Sequence, residues 1–144
     1  MPLLLVPPLH RATHRVGLYV QAVVPGVNQG EAHVLAHLHE AGPTAIGELH
    51  RAFAHRRPTL TGILDRLVDR RLVRRDLRPE DRRSFRVSLT PKGKPLAARV
   101  HAALGALEAG ALSGLARGDA AAFRRVAEGL ARAAREAADA RSRR

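Results

Sequence analysis

The chain has 144 residues, with 25 lysines and arginines against 13 aspartates and glutamates, and it contains no cysteine. This length suits a single domain with a substantial core and leaves little room for a second independent domain. The absence of cysteine excludes disulfides, thiolate catalysis, cysteine-based zinc sites and cysteine redox sensing.

The positive charge is concentrated in one part of the chain. Residues 51–94 hold 14 lysines and arginines and 5 acidic residues, so +9 of the total charge of +12 falls in this segment. A local basic surface is typical of a protein that binds a polyanion, most often nucleic acid. The alternative interpretation is a solvated surface in an arginine-rich chain.

The first residues carry a short apolar run, Leu3–Val6, which ends at two prolines. This run is too short for the core of a signal peptide or for a membrane span, which needs about 20 apolar residues. We therefore expect a cytoplasmic protein with no membrane partner.

Two helices are predicted before residue 44. The first follows Pro8 and stops at Pro25-Gly26, because seam positions recur in steps of four and three at Leu9, Thr13, Val16, Val20 and Val23. The second begins at a capping box formed by Asn28 and Glu31 and ends before Gly42-Pro43.

A helix-turn-helix pair is predicted next. Thr44 is expected to cap the third helix, which carries Ile46, Leu49 and Phe53, and residues 54–57 form the turn. The fourth helix begins at about Arg57 and has one apolar stripe, consisting of Leu60, Ile63, Leu64, Leu67 and Val68. In such a pair the second helix enters the major groove of DNA.

Two short runs with partial alternation follow, residues 72–77 and 84–89, and the polar turn between them carries three arginines. A helix followed by a two-stranded ribbon with a cationic tip is typical of a winged helix-turn-helix, in which the ribbon is the wing. Thr90-Pro91 then starts a long helix, Gly114 and Gly118 weaken its far end, and Asp119 caps a last helix.

The first and last helices have apolar stripes for which a small winged-helix core has no place. We interpret them as the two-fold interface of a homodimer, the alternative being an intramolecular three-helix cap on a monomer. The predicted fold is therefore mainly α, a winged helix-turn-helix with a two-stranded β wing and N- and C-terminal dimerisation helices. Residues 1–27 and 94–144 form the dimerisation region and residues 28–93 the DNA-binding region of one intertwined domain.

Two motifs in the wing resemble those of the MarR (multiple antibiotic resistance regulator) family of transcription factors. The family wing typically reads Asp-Pro-x-Asp-Arg-Arg, then a strand and Leu-Thr-x-x-Gly. Residues 79–83 (Pro-Glu-Asp-Arg-Arg) and 89–93 (Leu-Thr-Pro-Lys-Gly) are similar to these motifs, and the close likeness covers about forty residues. The resemblance implies a homodimeric, sequence-specific transcriptional regulator, a repressor that binds an inverted-repeat operator in double-stranded DNA.

The chain departs from the family pattern at two positions. Arg78 stands where aspartate is common, which makes the wing tip more cationic. Arg71 stands where a glycine usually closes the recognition helix. Because a non-glycine residue in the left-handed conformation costs on the order of 1 kcal/mol, we expect this helix to end by a different cap.

The predicted DNA contacts come from the fourth helix and the wing. Thr59, Thr61 and Arg66 are candidates for groove contacts, whereas Arg56 and Arg57 are expected to hold phosphate. Arg78, Arg82 and Arg83 at the wing tip can reach the minor groove, and one of the last two is expected to pair with Asp81. The alternative is that these arginines only make a hairpin soluble.

Histidines provide the remaining candidate site. His10 and His14 lie four residues apart on the first helix, as do His33 and His37 on the second. With Arg11 and Arg15 they could hold a small aromatic or anionic effector where the dimerisation helices meet the DNA-binding lobe. They could instead share a zinc ion, but such a site needs three or four ligands, and only His101 is placed to help.

No cofactor or metal is therefore predicted. We see no nucleophile–base pair and no phosphate-binding glycine loop, so we do not expect an enzyme. Two alternatives stay open at this point, a zinc-responsive regulator of the same fold and a non-specific architectural DNA-binding protein. A ligand-gated enzyme is poorly supported.

Overall fold

The computed structural model describes residues 1–54, 57–81 and 83–143. Their order is α1 (Val6–Val23), α2 (Gln29–Ala41), β1 (Thr44–Ala45), α3 (Ile46–Phe53), α4 (Arg57–Asp69), β2 (Val73–Leu77), β3 (Phe85–Leu89), α5 (Gly93–Leu112) and α6 (Asp119–Ser142). The mainly helical winged-helix fold is thus confirmed. None of the described helices is both long and apolar enough to cross a membrane.

The chain separates into two compact units, residues 1–106 and 107–144. The first contains one hydrophobic core, in which residues from α1, α2, α3, α4, the sheet and α5 pack together. The predicted stripe of α4 lies in this core: Leu60, Ile63, Leu64 and Leu67 are buried and Val68 packs against them. Burial of this stripe turns the opposite face of α4 to solvent.

The N-terminus of α2 is closed by the predicted capping box. The Asn28 side chain accepts a hydrogen bond from the Glu31 backbone N–H at 2.9 Å, and the Glu31 carboxylate accepts one from the Asn28 N–H at 3.3 Å. Two N–H groups that lack intrahelical partners are thereby satisfied.

The sheet has three strands where the sequence predicted two, in the order β1-β3-β2. In β1, Thr44 pairs with Val87 and so lies in a strand, and the prediction that it caps α3 is wrong. The N-cap of α3 is Ala45, whose N–H donates to the Glu48 carboxylate at 3.2 Å. A strand of two residues carries no periodicity, so its pairing depends on the position of β3.

The end of α4 also differs from the prediction. Arg71 has φ +58°, the left-handed conformation that was expected to be avoided. The Leu72 N–H donates to the Leu67 carbonyl at 2.9 Å and the Arg71 N–H donates to the Val68 carbonyl at 2.8 Å. This is a Schellman motif with arginine in the usual glycine position. Burial of both Leu67 and Leu72 accompanies it.

The Leu-Thr-x-x-Gly motif joins the end of the wing to the end of α4. The Thr90 hydroxyl donates to the Arg71 carbonyl at 2.6 Å and accepts from the Gly93 N–H at 3.0 Å, while the Lys92 ammonium donates to the Arg70 carbonyl at 3.1 Å. A Cβ on Gly93 would lie 1.9 Å from the Leu72 carbonyl oxygen. Close backbone approach is therefore the reason for glycine here.

The second unit contains the end of α5, a turn in which Gly114 has φ +82°, and α6. The prediction that Asp119 caps α6 is wrong, because Gly118 is the N-cap and Asp119 is the first helical residue. The Asp119 carboxylate accepts the Ala116 N–H at 2.8 Å, so it closes the preceding turn. Phe123 and Val126 on α6 are exposed. The predicted division into dimerisation and DNA-binding regions stays a prediction.

Candidate nucleic-acid interface

The solvent face of α4 carries most of the residues predicted for groove contact. Arg57, Thr59, Thr61 and Arg66 are all exposed. They alternate with the buried stripe because the helix repeats every 3.6 residues. Arg56 and Arg82, which were predicted to bind DNA, lie outside the described residues, and so does His55.

Three predicted residues meet in one cleft between α3, α4 and the wing. The cleft has a volume of about 550 Å³ and includes Arg57 and Thr61 of α4 and Arg83 of the wing tip. His50 of α3 and Arg75 of β2 also line it. Its cationic lining and its position beside the exposed face of α4 suit contact with phosphate.

An ion pair that the sequence did not reveal joins α4 to the wing. An Nη2 of Arg75 lies 2.6 Å from Oδ1 of Asp65, and the guanidinium carbon of Arg75 lies 5.4 Å from the ring centre of Phe85. Arg75 and Phe85 share a sheet face because alternate residues point the same way across paired strands. The contact orients the wing relative to the recognition helix, although an exposed pair of this kind contributes at most about 1 kcal/mol.

Arg66 lies in a different environment from Arg57. Its Nε is 3.0 Å from the Glu31 carboxylate, which is buried, and an Nη1 of Arg70 is 3.4 Å from the same group. Arg70 also donates to the Gly26 carbonyl at 2.7 Å. The second half of α4 is thereby tied to the start of α2. The base contact predicted for Arg66 stays a prediction. The ion pair with Glu31 gives the same side chain a structural role.

The wing tip is closed mainly by its own backbone. The Arg78 N–H donates to the Ser84 carbonyl at 3.1 Å, and the Asp81 carboxylate accepts the Arg83 N–H at 2.9 Å. Asp81 therefore stiffens the turn through the main chain of Arg83. Arg82, the other arginine expected to pair with Asp81, lies outside the described residues, so that pair stays a prediction. Arg78 lines a cavity with Arg74 and Arg86, on the sheet face opposite Arg75.

The predicted effector residues lie on α1 and α2. Exposed side chains on α1 comprise His10, Arg11, His14 and Arg15, while His33 and His37 on α2 are half-buried. The two helices are joined by a hydrogen bond from the Gln29 amide to the Thr13 carbonyl at 3.0 Å. The His37 ring packs edge-on against Phe53, with ring centres 5.5 Å apart.

The zinc alternative finds no site in the part of the chain that the structure describes. No group of three metal-ligating side chains comes together there. His101, the proposed third ligand, lies beside His39, with ring centres 5.0 Å apart, and its Nε2 is 4.0 Å from the Glu40 carboxylate.

A MarR family model matches residues 27–85, the segment from the start of α2 to the start of β3. A comparison with curated proteins found no match. Among solved structures, a probable transcriptional regulator from Pseudomonas aeruginosa is 27% identical, with 88% of this chain and 96% of that one covered and a TM-score of 0.69.

Two further solved structures show the same fold. BpsR of Bordetella bronchiseptica, whose DNA binding is regulated by 6-hydroxynicotinic acid, is 24% identical, with 88% and 98% coverage and a TM-score of 0.66. The transcription regulator MarR from Oenococcus oeni is 15% identical, with 89% and 96% coverage and a TM-score of 0.76.

Proposed function

We propose that the chain is a DNA-binding regulator of the MarR family, whose family model matches its winged-helix core at residues 27–85, and that it acts in the cytoplasm as a homodimeric repressor. The observation that carries this proposal is the cleft that brings Arg57, Thr61 and Arg83 together beside the exposed face of α4. No catalytic residue is proposed.

Each DNA contact is assigned by position. Arg57, at the start of α4, holds phosphate together with Arg56, because the N-terminus of a helix attracts anions. Thr59 and Thr61 face the major groove, where a threonine methyl can contact thymine and a hydroxyl can bond phosphate. The wing arginines, Arg78, Arg82 and Arg83, follow the backbone into the adjacent minor groove. Arg66 contacts a base through the part of its guanidinium not held by Glu31.

Exposed apolar side chains support the homodimer. Near the N-terminus Leu4, Leu5 and Leu18 are exposed, and on α6 Phe123 and Val126 are exposed. Apolar surface of this kind is typical of an interface with another chain. A two-fold dimer presents two copies of α4 to successive major grooves on one side of the duplex, which explains an inverted-repeat operator.

A small aromatic or anionic molecule is proposed to release the repressor from DNA. The regulation of BpsR by 6-hydroxynicotinic acid is the precedent among proteins of this fold. We place the site at the junction of α1, α2 and α5, where cations and half-buried imidazoles can hold an anion: His10, Arg11, His14, Arg15, His33 and His37. The change in the free energy of DNA binding equals the difference between the ligand's binding free energies for the DNA-bound and the released state, about 1–3 kcal/mol.

Selection of bound duplexes from a random pool tests the proposal. We expect an inverted repeat with half-sites about 10 bp apart, because the dimer axis relates two recognition helices. Sedimentation of a monomer at micromolar concentration together with an asymmetric site would contradict the dimer. Tight binding without any sequence preference would instead favour the non-specific architectural alternative.

A further inference from the structure

A cavity of about 570 Å³ lies at the base of the wing, and none of the residues predicted from the sequence to bind DNA or an effector lines it. We call it the wing-base cavity. The end of α2, strands β2 and β3 and the start of α5 all contribute to its walls, among them Leu38, His39, Arg74, Ser88, Lys94 and Ala98. Its volume lies within the range of about 300–1,000 Å³ that is typical of small-molecule sites.

Strand alternation separates this cavity from the DNA-facing cleft. Arg75 and Val87 are cross-strand partners on one face of the sheet, and Arg75 reaches Asp65 of α4. Arg74 and Ser88 are partners on the opposite face. A ligand in the wing-base cavity would therefore contact the wing without occupying the cleft that contains Arg57 and Arg83.

Two permanent cations from different elements line the cavity. The Nε of Arg74 donates to the Ser88 hydroxyl at 3.2 Å and to the Asp76 carboxylate at 3.0 Å. Both bonds use Nε, and within the described part of the chain the Nη atoms of Arg74 make no hydrogen bond, so they can donate to another acceptor. Lys94, the second residue of α5, has no carboxylate within 4.0 Å among the described residues. Asp76, the nearest carboxylate to Arg74, lines the neighbouring cavity.

Apolar residues also line the cavity. Leu38 is buried and Ala98 is half-buried. Two cations beside apolar side chains suit a molecule with a carboxylate at one end and an apolar body at the other, because the charge is paired while apolar surface leaves water. Inorganic phosphate would use only the cations.

We propose that the wing-base cavity binds a small organic carboxylate with an apolar body and that its occupation weakens DNA binding. The ligand adds negative charge to the basic segment of residues 51–94 and bridges the wing to α5. A ligand that prefers one arrangement of these two elements lowers the affinity for DNA by a certain factor, and bound DNA lowers the affinity for the ligand by the same factor. The regulatory half of the proposal rests on the proposed function, and the binding half does not.

Benzoate is a suitable probe, titrated into the full-length, DNA-free chain by calorimetry. We expect saturable binding that is weaker by about tenfold or more for benzamide, the neutral isostere. Arg74→Gln and Lys94→Gln should each weaken benzoate binding by about tenfold. Arg99→Gln, an exposed change on the same helix as Lys94, is the matched control and should bind benzoate as the unmodified chain does.

Circular dichroism of each variant separates lost binding from lost folding, and either Arg74→Gln or Lys94→Gln suffices for the test. Absence of saturable benzoate binding at millimolar concentration overturns the proposal. A second outcome also overturns it: the folded Arg74→Gln and Lys94→Gln variants bind benzoate as the unmodified chain does, while Arg11→Gln and Arg15→Gln abolish binding. The ligand would then occupy the junction of α1, α2 and α5.

The regulatory half is measured separately, by titrating benzoate into the complex with the selected operator. We expect benzoate to weaken operator binding of the unmodified chain, and to weaken it less for Lys94→Gln, in which the site proposed at the junction of α1, α2 and α5 is intact. If duplex selection yields no preferred site, the proposed function fails, while benzoate binding to the DNA-free chain still decides the cavity. If benzoate binds in the cavity and leaves operator affinity unchanged, the regulatory half is wrong.

Discussion

The two ends of the recognition helix α4 are held in different ways. Its C-terminal end is anchored by a Schellman motif, by the Thr90 hydroxyl, by Lys92 and by the buried Glu31 carboxylate. Its N-terminal half presents Thr59 and Thr61 to solvent. The helix is thus anchored at one end, so that the side chains proposed to contact DNA at the other end take little part in the fold.

Arg57 and Arg66 illustrate the difference. Both are exposed arginines on one helix, and the sequence predicted a DNA contact for each. Arg57 lines the cleft with Arg83, whereas Arg66 pairs with buried Glu31. Substitutions at the anchored end should therefore change stability first, and those at the exposed end should change DNA affinity first.

The largest effect is expected for Gly93→Ala at the anchored end. Its methyl group would lie 1.9 Å from the Leu72 carbonyl oxygen, so the start of α5 and the link between α4 and β2 must move apart. We expect a loss of about 3 kcal/mol in the free energy of unfolding, measured by urea denaturation. Gly105→Ala on α5, where the added Cβ meets nothing within 4 Å, is the control and should stabilise the chain by about 0.5–1 kcal/mol. Equal stability of the two variants would contradict the close-approach argument.

At the exposed end, Arg83→Ala should weaken operator binding by about 1–3 kcal/mol while the fold stays intact. Each phosphate contact also contributes roughly 0.9 to the slope of log affinity against log salt, so the variant should have a shallower slope. Fluorescence anisotropy at several salt concentrations measures both quantities. Unchanged affinity of a variant that is folded by circular dichroism would remove Arg83 from the mechanism.

Glu31→Gln tests the tie between α2 and α4. Removal of the charge leaves Arg66 and Arg70 without their buried partner, and we expect a loss of about 1–2 kcal/mol in the free energy of unfolding, because both arginines keep access to water. Glu48→Gln, an exposed residue that also accepts a helix N-terminal N–H, is the control. Denaturation midpoints that shift equally would show that the arginine pairs contribute nothing.

Arg66→Gln distinguishes the two roles given to that residue. If the contact with Glu31 dominates, the variant should lose stability by about 1 kcal/mol and keep its base preference. Relaxed preference at a single operator position, found by repeating the duplex selection, would show that the predicted base contact outweighs it.

The smallest effect is expected for Asp65→Asn, which removes the charge partner of Arg75 between α4 and the wing. Both side chains have access to water, so the change in unfolding free energy should be at most about 0.5 kcal/mol. Operator affinity should rise slightly, because a negative charge leaves the surface that is proposed to face DNA. A marked fall in affinity would mean that the pair positions the wing more strongly than its exposure suggests.

Local sequence patterns were enough to predict much of the fold. The buried stripe of α4, the Asn28–Glu31 capping box and the paired runs of the wing depend on residues within a few positions of one another, so spacing reveals them. Thr44 was misassigned because its strand has two residues and its partner, Val87, is distant in sequence. The ion pairs of Arg75 with Asp65 and of Glu31 with Arg66 were missed for the same reason, since each joins residues ten or more positions apart.

The sequence by itself therefore determined the helices, the charge distribution and the DNA-binding class, because periodicity, caps and net charge are properties of short segments. Only the tertiary structure decided which arginines line the cleft beside α4, why Gly93 has no side chain, and how Arg71 closes α4. The left-handed conformation of Arg71 costs on the order of 1 kcal/mol. The burial of Leu72 and the hydrogen bonds from Thr90 and Lys92 offset this cost. These contacts join residues about twenty positions apart, and they exist only once the wing has folded back against the helix.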